Sequence, residues 1–343
     1  MSNSHFKGII IIAMPQITIK PDNIIFICNI NDSVLEAALS NQVNLSYGCK
    51  NGLCGSCKYK IINGDFALNE YNKSILTDEE LKEGYALLCR TTATTNLEIF
   101  VPNLQNRSTP RIAIGNISYI VKQNKVSIIT VKIKSPAGFV FKYLAGQYVN
   151  LFVRNMQRSY SIANACQENN EVMFHVKHYD DGIFSQMVQN ELKIGSVLRF
   201  HGPLGGFSLN SLSSSPILFI CTGTGFAPIK AILEECINGK CKRKMYLYWG
   251  NKQIIDFYLL DDLHNIEHKL DIKINLCLSC ENDVRYRSGR VTDCVVDDFT
   301  DLMDYEVYAC GNLSMIENLY KLCCEKLNLN KDKFYSDAFV PSL

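Results

Sequence analysis

The hydrophobic pattern changes character twice along the chain. Near the start, apolar and polar residues alternate over Gln16–Lys20, and an apolar run follows at Ile24–Cys28, which predicts a hairpin. Asn31-Asp32 then turns the chain into a helix at Ser33. Ser33 and Glu36 have capping-box spacing, and Val34, Leu35, Ala38 and Leu39 supply an apolar face. Thr77 and Glu80 form a second capping box, opening a short helix that Gly84 can end. After a polar joint at 105–110, short alternating strands recur to about residue 210, among them Val126–Ile133, Tyr148–Val153 and Val172–Val176, with one helix over Phe184–Leu192. That pattern predicts a small antiparallel barrel or sandwich. A second joint, Leu212–Ser215, leads to continuous apolar strands at Ile217–Cys221, Met245–Trp249, Ile272–Leu278 and Glu306–Ala309, with a helix at Pro228–Cys236. These predict a parallel sheet with helices on both faces. Three domains are expected, at 14–104, 111–211 and 215–343. Residues 1–13 fit the pattern poorly: Met14 starts the fold, or the segment is an added edge strand or a tail.

Composition narrows the classes. The chain has 343 residues, of which 47% are hydrophobic and 20% charged, enough to bury several cores. A formal net charge of +1 lacks the positive field that non-specific nucleic-acid binding needs. The longest apolar run, Ile9–Met14, spans six residues, far short of the roughly 20 that cross a bilayer. No membrane span and no export signal are expected, and the location expected is cytoplasmic. Fifteen cysteines in such a chain read as thiols or ligands rather than a disulfide framework.

Four of those cysteines form a pattern. Cys49, Cys54 and Cys57 are spaced C-x4-C-x2-C, and Cys89 follows after 31 intervening residues. This is the plant-type spacing for a [2Fe–2S] cluster held by four thiolates. Gly48, Gly52 and Gly55 let the chain wrap closely, with positive φ, so that backbone N–H groups reach the cluster sulfurs. A four-cysteine zinc site is the alternative, but zinc sites usually use two C-x2-C knuckles and here only Cys54/Cys57 has that form. Cys277 and Cys280 read as core thiols at a strand end, and Cys323-Cys324 as helix packing.

Two further segments suit nucleotide cofactors. Arg158-Ser159-Tyr160-Ser161 closes a barrel strand, and Asp181-Gly182-Ile183-Phe184-Ser185 opens a helix. A helix N-terminus with Gly182 and Ser185 suits a pyrophosphate, Arg158 can add a bidentate contact, and Tyr160 and Ser161 supply a stacking face and a hydroxyl. Taken singly, each is ordinary strand and cap chemistry; together they favour a flavin. Cys221-Thr222-Gly223-Thr224-Gly225-Phe226-Ala227-Pro228 joins an apolar strand to a helix, where glycines allow a tight turn and Pro228 lacks an N–H that the helix start does not need. Cys310-Gly311 follows another strand of the same sheet, so both glycine sites face one crevice at the carboxyl ends of the strands.

The order of these elements resembles the ferredoxin–NADP reductase superfamily carrying an N-terminal [2Fe–2S] domain. Within it the chain is most similar to the CDP-6-deoxy-Δ3,4-glucoseen reductase group, through Tyr143–Tyr148, Arg158–Asn164, Gly223–Pro228, Tyr248–Gly250, Tyr308–Gly311 and the tail Phe334–Ser342. The resemblance implies a multidomain fold: an α+β ferredoxin-like (β-grasp) domain, an antiparallel β-barrel flavin domain and an α/β parallel-sheet nucleotide domain. It implies that Cys49, Cys54, Cys57 and Cys89 ligate the cluster. Arg158, Gly182 and Ser185 would hold the FAD pyrophosphate, Tyr160 would pack on the ring, and Ser161 would bond near its hydride-accepting nitrogen. Thr222, Gly223, Thr224, Gly225, Cys310 and Gly311 would place the nicotinamide, and Phe339 would lie near the flavin, so that Ser161, Cys310 and Phe339 are the expected catalytic residues. The implied activity is an NAD(P)H-dependent oxidoreductase that passes electrons from NADH through FAD and the cluster to a partner protein. NADPH is the second option, with Lys252 the nearby cation for a 2′-phosphate. In the resembled group the acceptor is a pyridoxamine-dependent dehydratase of CDP-3,6-dideoxyhexose synthesis. The alternatives are the reductase component of an aromatic-ring or alkane oxygenase, and an electron carrier with no nicotinamide chemistry.

Overall fold

The computed structural model describes residues 14–339 except 74, 103, 105–107, 137, 138 and 181. The expectations at residues 1–13, at Asp181, at part of the first joint and at 340–342 of the tail lie outside the described residues. Contacts divide the chain into two units, one of residues up to Leu45, Lys50–Gly52 and Cys57–Leu104, the other of Ser46–Cys49, Leu53–Ser56 and Gln105–Leu343.

The first unit is built from β1 (Gln16–Lys20), β2 (Ile24–Ile27), α1 (Val34–Ser40), β3 (Lys58–Asn63), β4 (Phe66–Leu68), α2 (Asp78–Lys82), β5 (Tyr85–Leu87), β6 (Thr91–Ala93) and β7 (Leu97–Phe100). Its main sheet runs β2-β1-β7-β3-β5, and β4 pairs with β6. β1 and β2 form the expected antiparallel hairpin, and β1 lies parallel to β7. Both expected capping boxes are formed, each satisfying two backbone N–H groups at a helix start. Gly84, at φ +92°, follows the last turn of α2. On α1 the buried residues are Val34, Leu35, Ala37 and Ala38; Leu39 is only half-buried.

The second unit holds two sheets. The first comprises β8 (Arg111–Gln123), β9 (Val126–Ile133), β10 (Tyr148–Val153), β11 (Met156–Ser161), β12 (Glu171–Lys177) and β13 (Val197–Leu204), with α3 (Ile183–Asn190) after β12. It is antiparallel throughout, in the order β11-β10-β13-β8-β9-β12. Beyond β11 the chain bonds back to β12: Ile162 bridges Phe174, and the Ala163 N–H donates to the Met173 carbonyl at 2.8 Å. The sheet is therefore curled into a half-barrel that meets itself at a bridge, not along a full ladder. Its interior holds Phe141, Phe174 and Phe200.

The second sheet comprises β14 (Ile217–Thr222), β15 (Met245–Asn251), β16 (Ile272–Leu278), β17 (Arg287–Ser288), β18 (Glu306–Asn312) and β19 (Phe334–Phe339). All pair parallel, in the order β17-β16-β15-β14-β18-β19. One face is covered by α4 (Phe226–Asn238) and α5 (Leu260–Glu267), the other by α6 (Val291–Asp298) and α7 (Leu313–Lys326). Three details depart from expectation. A 3₁₀ turn at Gly223–Gly225 runs straight into α4, so the helix starts at Phe226 and Pro228 is its third residue; the proline still lies in the first turn, where N–H groups lack helical partners. α3 ends at Asn190, short of Leu192. Cys280 lies past the end of β16 and is exposed, so it is not a core thiol.

Candidate functional site

The tips of β14 and β18 abut because glycine stands at both contacts. A Cβ on Gly225 would lie 2.3 Å from the Cys310 carbonyl oxygen, and one on Gly311 would lie 2.3 Å from Thr222 Oγ1. These glycines serve strand-to-turn packing, whereas Gly223, at φ +54°, opens outward and has only Lys177 Nζ nearby, at 3.7 Å from its ideal Cβ. The turn is held by Trp249, whose Nε1–H donates to the Gly223 carbonyl at 2.9 Å while its ring stacks on Phe226 with centroids 4.3 Å apart. In front of the turn lies a cleft walled by Lys125 and Lys177 from the half-barrel, by Asn251 at the end of β15 and by Asp256 and Tyr258 from the segment that follows it. Asn251 is 8% exposed, and its Nδ2 has no hydrogen-bond partner. Lys125 Nζ stands 3.7 Å from the Asp256 carboxylate, and Lys177, an unused amide donor and a glycine turn at a helix start form a place for an anion.

The strand end at β11 gathers the residues expected at a flavin. Tyr160 stacks on Phe184 at the start of α3, with centroids 5.5 Å apart. Burial pushes its phenol up, and the Arg158 charge pulls it partly back. Gly182 caps α3; a Cβ there would sit 2.5 Å from Ser185 Oγ, which donates to the Gly182 carbonyl at 2.8 Å. Ser161 is buried, and its hydroxyl stabilises the carboxylate form of the neighbouring Asp337. Asp337 lies on β19, in register with Cys310 on β18. Burial raises the Asp337 carboxyl to about 6, and the Ser161 hydroxyl moderates the rise. The Cys310 side chain is 0% exposed, and its thiol is pushed well above the usual range by burial and then by Asp337. Phe339 packs beside the core that contains Cys310 and Trp249. Ser161 and Cys310, 149 positions apart in sequence, thus both influence or feel the Asp337 carboxyl, which is in register with Cys310.

The cysteine loop shows the backbone-to-sulfur bonds that thiolate ligands need. The Cys49 N–H donates to Cys54 Sγ at 3.3 Å, and the Leu53 N–H to Cys49 Sγ at 3.2 Å. Lys50, Gly52 and Gly55 take positive φ, of 60°, 80° and 75°. Gly48 does not; it is needed for room, because its Cβ would approach Cys54 Sγ to 3.0 Å. Cys57 immediately precedes β3 and Cys89 shortly follows β5; the Leu88 N–H donates to the Cys57 carbonyl at 3.0 Å, which draws this second pair to one end of the strands. Among the described residues, no three His, Cys, Asp or Glu side chains converge to hold a single metal ion.

Three families match in series: a 2Fe-2S iron-sulfur cluster binding domain over residues 17–94, an oxidoreductase FAD-binding domain over 116–209 and an oxidoreductase NAD-binding domain over 219–321. The CDP-6-deoxy-L-threo-D-glycero-4-hexulose-3-dehydrase reductase of Yersinia pestis is 34% identical, over 95% of this chain and 99% of its own. The chain belongs to this family of NAD(P)H-dependent iron–sulfur flavoprotein reductases. The reductase is also 34% identical to protein RfbI of Salmonella typhimurium, over 95% and 97% of the two chains. It is 29% identical to the reductase component of propane 2-monooxygenase from Gordonia sp., over 95% and 97%. In fold it is similar to the Amycolatopsis cytochrome P450 reductase GcoB, with a TM-score of 0.73 and 24% identity over 95% of this chain and 99% of that one.

The cofactors of the reductase are therefore a [2Fe–2S] cluster, FAD and NAD(H). The residues present fit each group: sulfur-directed N–H groups at the cysteine loop, a glycine-started helix beside Tyr160, and the anion cleft at Gly223. Lys125, Lys177, Asn251 and Asp337 were not legible as site residues in the sequence. The first three come from separate strands or turns and share no local motif. Asp337 carried a faint signal, an acid between aromatic residues in the tail Phe334–Phe339.

Proposed function

We propose that the reductase takes hydride from NADH and delivers single electrons to the dehydratase of a CDP-3,6-dideoxyhexose pathway. The observation that carries this reading is the end-to-end match to the Yersinia pestis reductase, closer than that to the oxygenase reductase component. When bound, these groups would supply hydride donation at the nicotinamide, conversion of two-electron to one-electron chemistry at the flavin and one-electron carriage at the cluster. Cys49, Cys54, Cys57 and Cys89 ligate the cluster. Arg158, Gly182 and Ser185 bind the FAD pyrophosphate, and Tyr160 orients the ring. Thr222–Gly225 and Gly311 shape the nicotinamide pocket against Cys310 and Phe339, while Lys125 and Lys177 counter the dinucleotide phosphates. Ser161 presents a hydroxyl whose other partner, the Asp337 carboxyl, can hold or release a proton near pH 6. The acceptor is a pyridoxamine-dependent CDP-hexulose dehydratase, and the location is cytoplasmic; among the described residues no helix is long and apolar enough to cross a membrane.

The test is anaerobic reconstitution with such a dehydratase and its CDP-4-keto-6-deoxyhexose, following NADH consumption. Sugar-dependent consumption with a 3-deoxygenated product is expected. Cytochrome c reduction without sugar-dependent turnover would move the assignment to an oxygenase partner.

A further inference from the structure

Lys230 is a cation where the fold gives no obvious use for one. It lies on α4, five residues beyond the Gly225 end of the nicotinamide turn, and is 3% exposed. Its Nζ is bonded to Glu234 one helical turn on, donates to the Ala163 carbonyl at 3.4 Å, and lies 4.0 Å from Asp262 on α5. The other Glu234 oxygen accepts the Ala165 N–H at 2.9 Å. Ala163 and Ala165 belong to the short segment that leaves Ser161 and bonds back to β12 through the Ala163 N–H. The same charge helps keep His175 neutral, because burial first and Lys230 second depress that imidazole well below its usual range. His175 Nδ1 in turn meets Tyr258 Oη, in the wall of the cleft, at 2.9 Å. One buried ammonium therefore contacts or biases the segment after Ser161, the helix behind the Gly223 turn, α5 and the wall at Tyr258.

Burying an ammonium beside a half-buried carboxylate is costly, and a well-packed apolar pair would often be as stable or more so. Directional bonds, unlike apolar packing, fix the register of two surfaces. We propose that Lys230 and Glu234 are positioning residues for hydride transfer, clamping the flavin strand end at Ser161 against the nicotinamide turn at Gly223–Gly225. The role rests on the reading of this site as the place where NADH meets FAD.

The experiment compares the full-length holoenzyme with Lys230→Met and Glu234→Gln in anaerobic stopped-flow reduction by NADH, measuring bound FAD, melting temperature, the limiting rate of flavin bleaching and the NADH concentration at half-saturation. Because small misplacements of reacting groups cost much in rate, the limiting rate per bound flavin should fall by about tenfold or more, with half-saturation changed less than about threefold. Lys230→Arg, which restores the cation, should recover part of the rate. Should Lys230→Met fail to fold, Glu234→Gln carries the test, since a glutamine carbonyl still accepts the Ala165 N–H. Limiting rates within about twofold of wild type in the folded variants, whatever their melting temperatures, would reduce the pair to a structural role. Failure of NADH to bleach the wild-type flavin at all would instead overturn the reading of the site itself.

Discussion

At the scale of single residues, Asp337 takes its properties from a strand it could not find in its own sequence neighbourhood. Its carboxyl is crowded by protein atoms, which disfavours the charged form, and the neighbouring Ser161 hydroxyl offsets part of that. The folded-state value of about 6 stands above the ordinary carboxylate range. The stability linked to the protonated form is therefore present below that range and is lost as pH rises through about 6. Asparagine mimics the protonated acid. Asp337→Asn should raise the melting temperature relative to wild type by more at pH 8 than at pH 5. Thermal melts at the two pH values check this; parallel shifts at both would show that the carboxyl does not titrate in the folded protein.

At the scale of elements, the site depends on two parallel strand tips touching. The Cβ of an alanine at 225 would meet a backbone oxygen at 2.3 Å, and backbone cannot swing aside as a flexible side chain can. Gly225→Ala should cost about 1–3 kcal/mol of stability, the range for overpacked interiors, and should slow flavin reduction by NADH while FAD stays bound. Differential scanning calorimetry and flavin bleaching measure the two effects. A normal reduction rate would mean that the 3₁₀ turn can retreat from β18 without loss. The helix starts at α1 and α2 were legible at this scale, because a capping box is a local arrangement of four residues. The start of α4 was not: a 3₁₀ turn of two glycines and a threonine carries no local cap; it is bonded by Trp249 and packed against Cys310, both from other strands.

At the scale of the molecule, three cofactor domains in series make a converter from two-electron to one-electron chemistry. Removing the last carrier should separate the functions. Cys54→Ser should abolish the cluster absorbance and cytochrome c reduction but retain NADH–ferricyanide activity, because ferricyanide can draw directly on the flavin. Visible spectra with both assays on one preparation decide it. Undiminished cytochrome c reduction in cluster-free protein would place the one-electron exit at the flavin.

Local chemistry was sufficient for much of this protein. Strand runs such as Ile272–Leu278 announce themselves because a buried parallel strand is apolar on both faces, and the four-cysteine spacing announces a cluster because its ligands must lie within one loop and a return strand. Ser161, the glycine turn and the cysteines could be named as candidates for that reason. Lys125, Lys177, Asn251, Asp337, Lys230 and His175 were not, since each is a common residue in an ordinary strand, turn or helix. Their chemistry arises when the curled antiparallel sheet and the parallel sheet pack together, removing water from some and aiming others at one cleft. A charge or an amide becomes functional there through what surrounds it, and only the tertiary structure chooses those surroundings.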